Sequence, residues 1–209
     1  GLPRAWRGLT IIMARLEPLP RDATPELVET FAAYEKVLGF MPNSLLIMQR
    51  KPKMVKALAG LAATIWDPES TVDPGFKRLL AHVASRAHGC TYCMAHTAGG
   101  ALHLGVTEER LAAIWEYRTN PLYSEAERAA LDVAIAAAAV PNDVTDEMFG
   151  ALRAHWTDEQ VVEIVGVIAF FGFMNRWNDT LATPLEGEPR AVGERFLARG
   201  GWTVGRHAG

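Results

Sequence analysis

The stretch Leu79-Leu80-Ala81-His82-Val83-Ala84-Ser85-Arg86-Ala87-His88-Gly89-Cys90-Thr91-Tyr92-Cys93-Met94-Ala95-His96 decides the fold. Asp73-Pro74 starts a helix that carries Leu79, Leu80 and Val83 and ends at Gly89. A second helix begins near Cys90 and runs to Leu104, where Gly105 stops it. Upstream, Thr24-Pro25-Glu26 offers an N-cap, a proline in the first turn and an acid that suits the helix dipole. The helix it opens reaches about Leu38, with Leu27, Phe31, Tyr34 and Leu38 on one face. Pro42 opens a short helix, and Pro52 a third carrying Met54, Val55, Leu58 and Leu61. Downstream, Thr107, Ser124, Thr145 and Thr157 read as N-caps of four more. Ser124-x-x-Glu127 and Thr157-x-x-Gln160 are capping boxes. No segment alternates apolar and polar residues between hairpin turns. The expected fold is all-α.

A faint internal repeat matches the two ends of Gly89–Thr97 with those of Gly172–Thr180. Each block follows an apolar stretch, Leu79 to Ala87 and Val161 to Phe170, which suggests two weakly repeated helical hairpins about a pseudo-twofold. Only the first hairpin keeps thiols. The expected organisation is an N-terminal extension over residues 1–24, a helical domain over 25–185 and a tail over 186–209. That tail is rich in Gly, Arg and Pro, and is expected to wrap the surface with Trp202 as an anchor.

Composition excludes several function classes. Of 209 residues, 49 % are apolar and 22 % charged, as in an ordinary globular protein. The net charge is −3 and the basic residues are dispersed, so no electrostatic case exists for nucleic acid. The longest apolar run, Val161 to Met174, is broken by Glu163 and two glycines and is too short to span a bilayer. Leu9 to Met13 is too short for a signal-peptide core, and Met13 reads as a possible natural start. Two cysteines do not make a secreted disulfide framework, so the expected compartment is the cytoplasm, where the pair rests mostly reduced.

The chemistry sits in Gly89-Cys90-Thr91-Tyr92-Cys93-Met94-Ala95-His96. A Cys-x-x-Cys pair is the minimum for making and breaking an intrachain disulfide. At the start of a helix, Cys90 faces free amides and the positive end of the dipole, which favours its thiolate. His96 lies three residues after Cys93, on the same helix face, where it can serve as general base or proton relay. One thiolate attacking a peroxide oxygen gives a sulfenic acid, and the second thiol condenses with it to a disulfide. The dipole favours Cys90 as the attacking sulfur, whereas the histidine spacing favours Cys93.

Gly89 to His96, with the lead-in Leu80 to Arg86, resembles the active-site signature of the AhpD-like alkylhydroperoxidases of the carboxymuconolactone decarboxylase superfamily. Asn175-Arg176-Trp177-Asn178 and the stretch from Gly201-Trp202 to Gly205-Arg206-His207 look like features of its longer members. The resemblance covers about residues 25–207. It implies an all-helical fold, homo-oligomerisation and reduction of a hydroperoxide, or another small molecule, by a Cys-x-x-Cys pair that an unidentified dithiol donor resets. It also implies that the second cysteine, Cys93, is the peroxide-reactive one and Cys90 the resolving thiol. The family's relay glutamate corresponds to Arg78 here, its usual histidine position to Thr97, and the histidine between the cysteines of its best-known members to Tyr92. His82, one turn after Arg78, and Glu163, the only acid in an otherwise apolar helix, are candidate replacements in the relay.

Other readings stand beside this one. Cys90 and Cys93 could be small buried hydrophobes. A metal site could use Cys90, Cys93 and His96 with His103, although zinc ligands usually come from two separated segments. Cofactor-free acid/base chemistry, such as lactone decarboxylation, would rest on His82, His96 and Glu163 and would survive loss of both thiols. A redox-sensing oligomer would use the disulfide to change assembly rather than turn over. No organic cofactor is implied, since no glycine-rich phosphate loop follows a strand. Gly99-Gly100 sits mid-helix at about 1 kcal/mol each against alanine, which predicts close helix packing there and loss of assembly in Gly100→Leu.

Overall fold

The computed structural model describes residues 14–209, so Leu9 to Met13 lies outside the described residues. Ten α-helices and several single turns make up the described chain, with no strand among the described residues. A 3-10 turn over Pro25–Leu27 precedes α1 (Val28–Leu38). Thr24 makes no side-chain cap there, so proline geometry and the acid, rather than a hydroxyl cap, open this segment. Then come α2 (Asn43–Met48), α3 (Pro52–Ile65), α4 (Pro74–His88) and α5 (Thr91–His103). The second half is α6 (Glu108–Ala112), α7 (Glu125–Ala138), α8 (Asp146–His155), α9 (Asp158–Leu181) and α10 (Gly187–Val192). Thr107, Ser124, Thr145 and Thr157 each accept a backbone N–H as N-caps, and both capping boxes form.

The antiparallel pair α4 and α5 forms the centre. Its turn is a single glycine: Gly89 takes φ 79°, a left-handed conformation that a side chain disfavours. Leu79, Leu80, Ala81, Val83 and Ala84 of α4 are fully buried, against Cys90, Ala95, Ala98 and Ala101 of the second arm. The alanines keep the two helix axes close. α7 and α9 cover the other sides of α4, and a smaller apolar cluster of Leu27, Phe31, Leu45, Met48, Val55 and Leu58 closes the N-terminal end.

One feature differs from expectation. The block Gly172–Thr180 lies inside the continuous helix α9, so its likeness to the Cys block does not extend to a second hairpin turn. The segment after Leu185 runs over the surface with most of its residues exposed, and the buried Trp202 and His207 anchor it. Trp202 Nε1 donates to the Thr91 carbonyl at 2.9 Å, Thr91 Oγ1 donates to the Val204 carbonyl at 3.2 Å, and the Leu185 amide donates to the His207 carbonyl at 2.9 Å. These bonds tie the chain's last turns to the first turn of α5. No helix among the described residues is long and apolar enough to cross a membrane.

Candidate active site

Cys90 is the N-cap of α5, in extended conformation, and its Sγ accepts the Cys93 amide at 3.4 Å. Both thiols are free. They face different surroundings. Cys93 lines a cavity of about 670 Å³, together with Tyr92, His96, Gly99, Gly100 and His103 of α5. Trp66, Phe170, Phe171 and Met174 supply an apolar wall, and Trp66 meets Phe170 and Phe171 edge-on at 5.9 and 6.2 Å. Asn178 Nδ2 of α9 donates to Cys93 Sγ at 3.5 Å. Cys90 is fully buried behind Cys93 and does not line this cavity.

A histidine–carboxylate pair accompanies each thiol. On the cavity side, His96 Nε2 donates to Glu186 Oε2 at 2.6 Å. The other oxygen of Glu186 accepts from Tyr92 Oη at 2.7 Å and from the Asn43 amide at 2.5 Å. Tyr92 also stacks on the His96 ring, with centroids 4.4 Å apart. Burial pushes the Glu186 carboxyl up, but the His96 charge and the three donors outweigh it and hold the group below its ordinary value. Glu186 therefore stays an anion that fixes the orientation of His96.

Behind the thiols, His207 Nδ1 donates to the Thr183 carbonyl at 2.8 Å and its Nε2 donates to Asp179 Oδ1 at 3.0 Å. Both ring nitrogens face acceptors, so the ring is an imidazolium with no lone pair left for a metal ion. Burial lowers its pKa, and the bonds to Asp179, Cys90 and Thr183 more than offset this, raising it to about 9. Atoms of Cys90, Asp179 and His207 lie within 4.8 Å of one another. Burial pushes the Cys90 thiol well up, the neighbouring Cys93 adds to that, and His207 pulls it back down.

The other sequence candidates lie elsewhere. His82 is buried between α4 and α5, where Nδ1 donates to the Met94 carbonyl at 3.1 Å, and its ring lies 5.5 Å from that of Trp115. Burial drops its pKa to about 4, and it does not line the cavity. Glu163 accepts from Lys77 Nζ at 2.6 Å and from Ser70, an internal ion pair. It too stays outside the cavity. Gly100 makes room not for another helix but for Arg78: a Cβ there would sit 2.9 Å from Arg78 Nε.

This arrangement can be set beside known proteins. The sequence model of the carboxymuconolactone decarboxylase family matches residues 52–136. The debrominase Bmp8, solved as a cysteine-to-alanine variant in complex with 2,3,4-tribromopyrrole, superposes with TM-score 0.81 at 34% identity. That match covers 87% of this chain and 96% of the debrominase. The chain belongs to the AhpD-like carboxymuconolactone decarboxylase superfamily. An Agrobacterium tumefaciens protein of unknown function with the same superfamily fold is 27% identical with TM-score 0.60, over 66% of this chain and 94% of that one. The uncharacterized protein YnjA of Escherichia coli is 27% identical over 118 residues, 56% of this chain and 65% of its own length. This chain thus spans just under two thirds of YnjA. Residues 52–136 hold α4, α5 and both thiols, but the carboxylates and second histidine of the site fall outside that family match.

Sequence reasoning missed Glu186, Asp179 and the site role of His207. The signal that could have found them is the tail itself. A segment carrying Trp202 and one of only six histidines is poorly suited to lie in solvent.

Proposed function

We propose that this protein is a thiol-dependent reductase in which Cys93 attacks a small substrate in the apolar cavity and Cys90 resolves the product. One observation carries the reading: Cys93 faces the cavity while Cys90 is sealed behind it beside an imidazolium. Cys93 thiolate attacks a weakly bonded heteroatom X of the substrate, forming S–X as the substrate's bond to X breaks. The substrate fragment leaves with that electron pair and takes a proton handled by His96, which Glu186 orients. Oxidation of Cys93 removes its negative charge, and with it part of what kept Cys90 protonated. Cys90 thiolate, opposite His207, then attacks Cys93 Sγ, forming the disulfide and expelling X as hydroxide or halide. An external dithiol, oxidised in turn, restores both thiols. Self-association and a cytoplasmic setting belong to the same proposal.

For a hydroperoxide, X is the terminal oxygen and the fragment leaves as an alcohol. A second reading, reductive dehalogenation, takes X as bromine and the fragment as a carbanion that is then protonated. The near full-length similarity to the debrominase Bmp8 supports that second reading. The test supplies excess dithiol under anaerobic conditions with an organic hydroperoxide or a brominated pyrrole, following peroxide loss or bromide release. Turnover with one of them, abolished in Cys93→Ser and slowed in Cys90→Ser, where the external dithiol must attack the oxidised Cys93 directly, is the expected result. Turnover that persists in Cys93→Ser overturns the proposal and passes the site to acid/base chemistry.

A further inference from the structure

Two neighbouring cations of α4 have opposite fates. Lys77 is buried and satisfied, with Nζ held by Glu163 at 2.6 Å, by the Ile65 carbonyl at 2.7 Å and by Ser70 Oγ at 2.5 Å. Arg78 lines the cavity and has no ion pair or hydrogen bond among the described residues, and its Nε is shut off from solvent. The guanidinium lies over the Trp66 ring, 4.3 Å from its centroid. Asp67 and Glu188 also line the cavity, but both are exposed and neither pairs with it. A guanidinium drawn largely out of water without a counter-charge is costly, whereas the same group facing a ligand anion is a strong, planar two-donor site. Burial lowers its pKa only to about 10, so it remains charged at neutral pH.

The distance to the thiol limits the ligand. Arg78 packs on Gly100, which is seven residues after Cys93 on α5 and on the same face. Two helical turns at 1.5 Å per residue separate the two levels by about 10 Å. A span of that order, widened where the two side chains reach into the cavity, suits a ligand built on a single aromatic ring.

We propose that Arg78 makes the cavity a site for an organic anion, holding a carboxylate or similarly acidic group at one end while a flat apolar body presents its reducible atom to Cys93. Only the statement about the reacting end rests on the thiol reading. The anion site stands on Arg78 itself, and is measured without any turnover.

The experiment is calorimetric titration of the full reduced chain with para-bromobenzoate and with para-bromobenzamide, which share shape but not charge. The acid is expected to bind tighter than the amide by about tenfold or more, the worth of a charged hydrogen bond. Arg78→Met should abolish that preference and leave the amide unchanged, and Arg78→Lys should keep part of it. Gly100→Ala, which leaves the charge but displaces the side chain, should weaken the preference too. Equal affinities in the parent, a preference that survives Arg78→Met, or no binding of either compound would overturn the proposal. Cys93→Ser should bind both compounds as the parent does, so a failed thiol mechanism cannot be mistaken for a failed anion site.

Discussion

At the scale of single residues, the candidate site is two thiols, each near its own histidine–carboxylate pair. Glu186 accepts from Tyr92 and the Asn43 amide on one oxygen and from His96 on the other. Glu186→Gln removes the anion that orients His96, and turnover should fall about 10- to 100-fold, as for other groups that position an acid or base. A turnover–pH profile of the variant beside the parent checks this, and an unchanged profile and rate would remove Glu186 from the mechanism. Glu186 is 90 residues from its partner His96 and was not legible in the sequence. Pattern reading sees neighbours at three and four positions along a helix, which is why it paired Cys93 with His96, both of which line the cavity, and passed over Glu186. Glu163 drew attention for the right physical reason, since a carboxylate on an apolar helix needs a partner. That partner is Lys77, hidden in the sequence because it lies one position before Arg78 on another helix.

At the scale of elements, helix boundaries were the most legible part of the chain. Hydroxyl caps and stop glycines act locally, so Thr107, Ser124, Thr145 and Thr157, and Gly89 and Gly105, could be read from a few residues each. α9 was harder, because a continuous 24-residue helix contains two glycines that look like breaks, Gly166 facing open space and Gly172 packed near His88 and Arg176. Its C-terminal turn holds Asp179 against His207, which links this element to pH. The His207 pKa rises from 6.5 to about 9 in the folded state. Below 6.5 the ring is protonated whether folded or not, and the pair's full contribution to stability is present. As pH rises towards about 9, the unfolded chain sheds its proton first and that contribution fades. Asp179→Asn should therefore be less stable than the parent below pH 6.5, with the gap closing as pH passes through about 9. Chemical denaturation across that range measures it, and a gap independent of pH would mean that His207 is not held as a cation.

At the scale of the whole molecule, the thiol-bearing hairpin and the end of the described chain form one unit. Trp202 caps the first turn of α5 through the Thr91 carbonyl, and His207 reaches Asp179 beside Cys90. A chain ending at Gly200 loses both, and Cys90 should be alkylated by iodoacetamide about tenfold faster or more once its cover is gone. Mass spectrometry of labelled Cys93→Ser protein reads the rate at Cys90 alone, and equal rates would show that the tail does not shield it. Thr91 and Val204, which hydrogen-bond at this junction, are 113 positions apart. During synthesis the thiols leave the ribosome long before the residues that shelter and charge them. A polypeptide interrupted before Asp179 carries both sulfurs but neither of the carboxylates that sit beside the two histidines. The two sulfurs thus wait through the synthesis of α6, α7 and α8 before either carboxylate is in place.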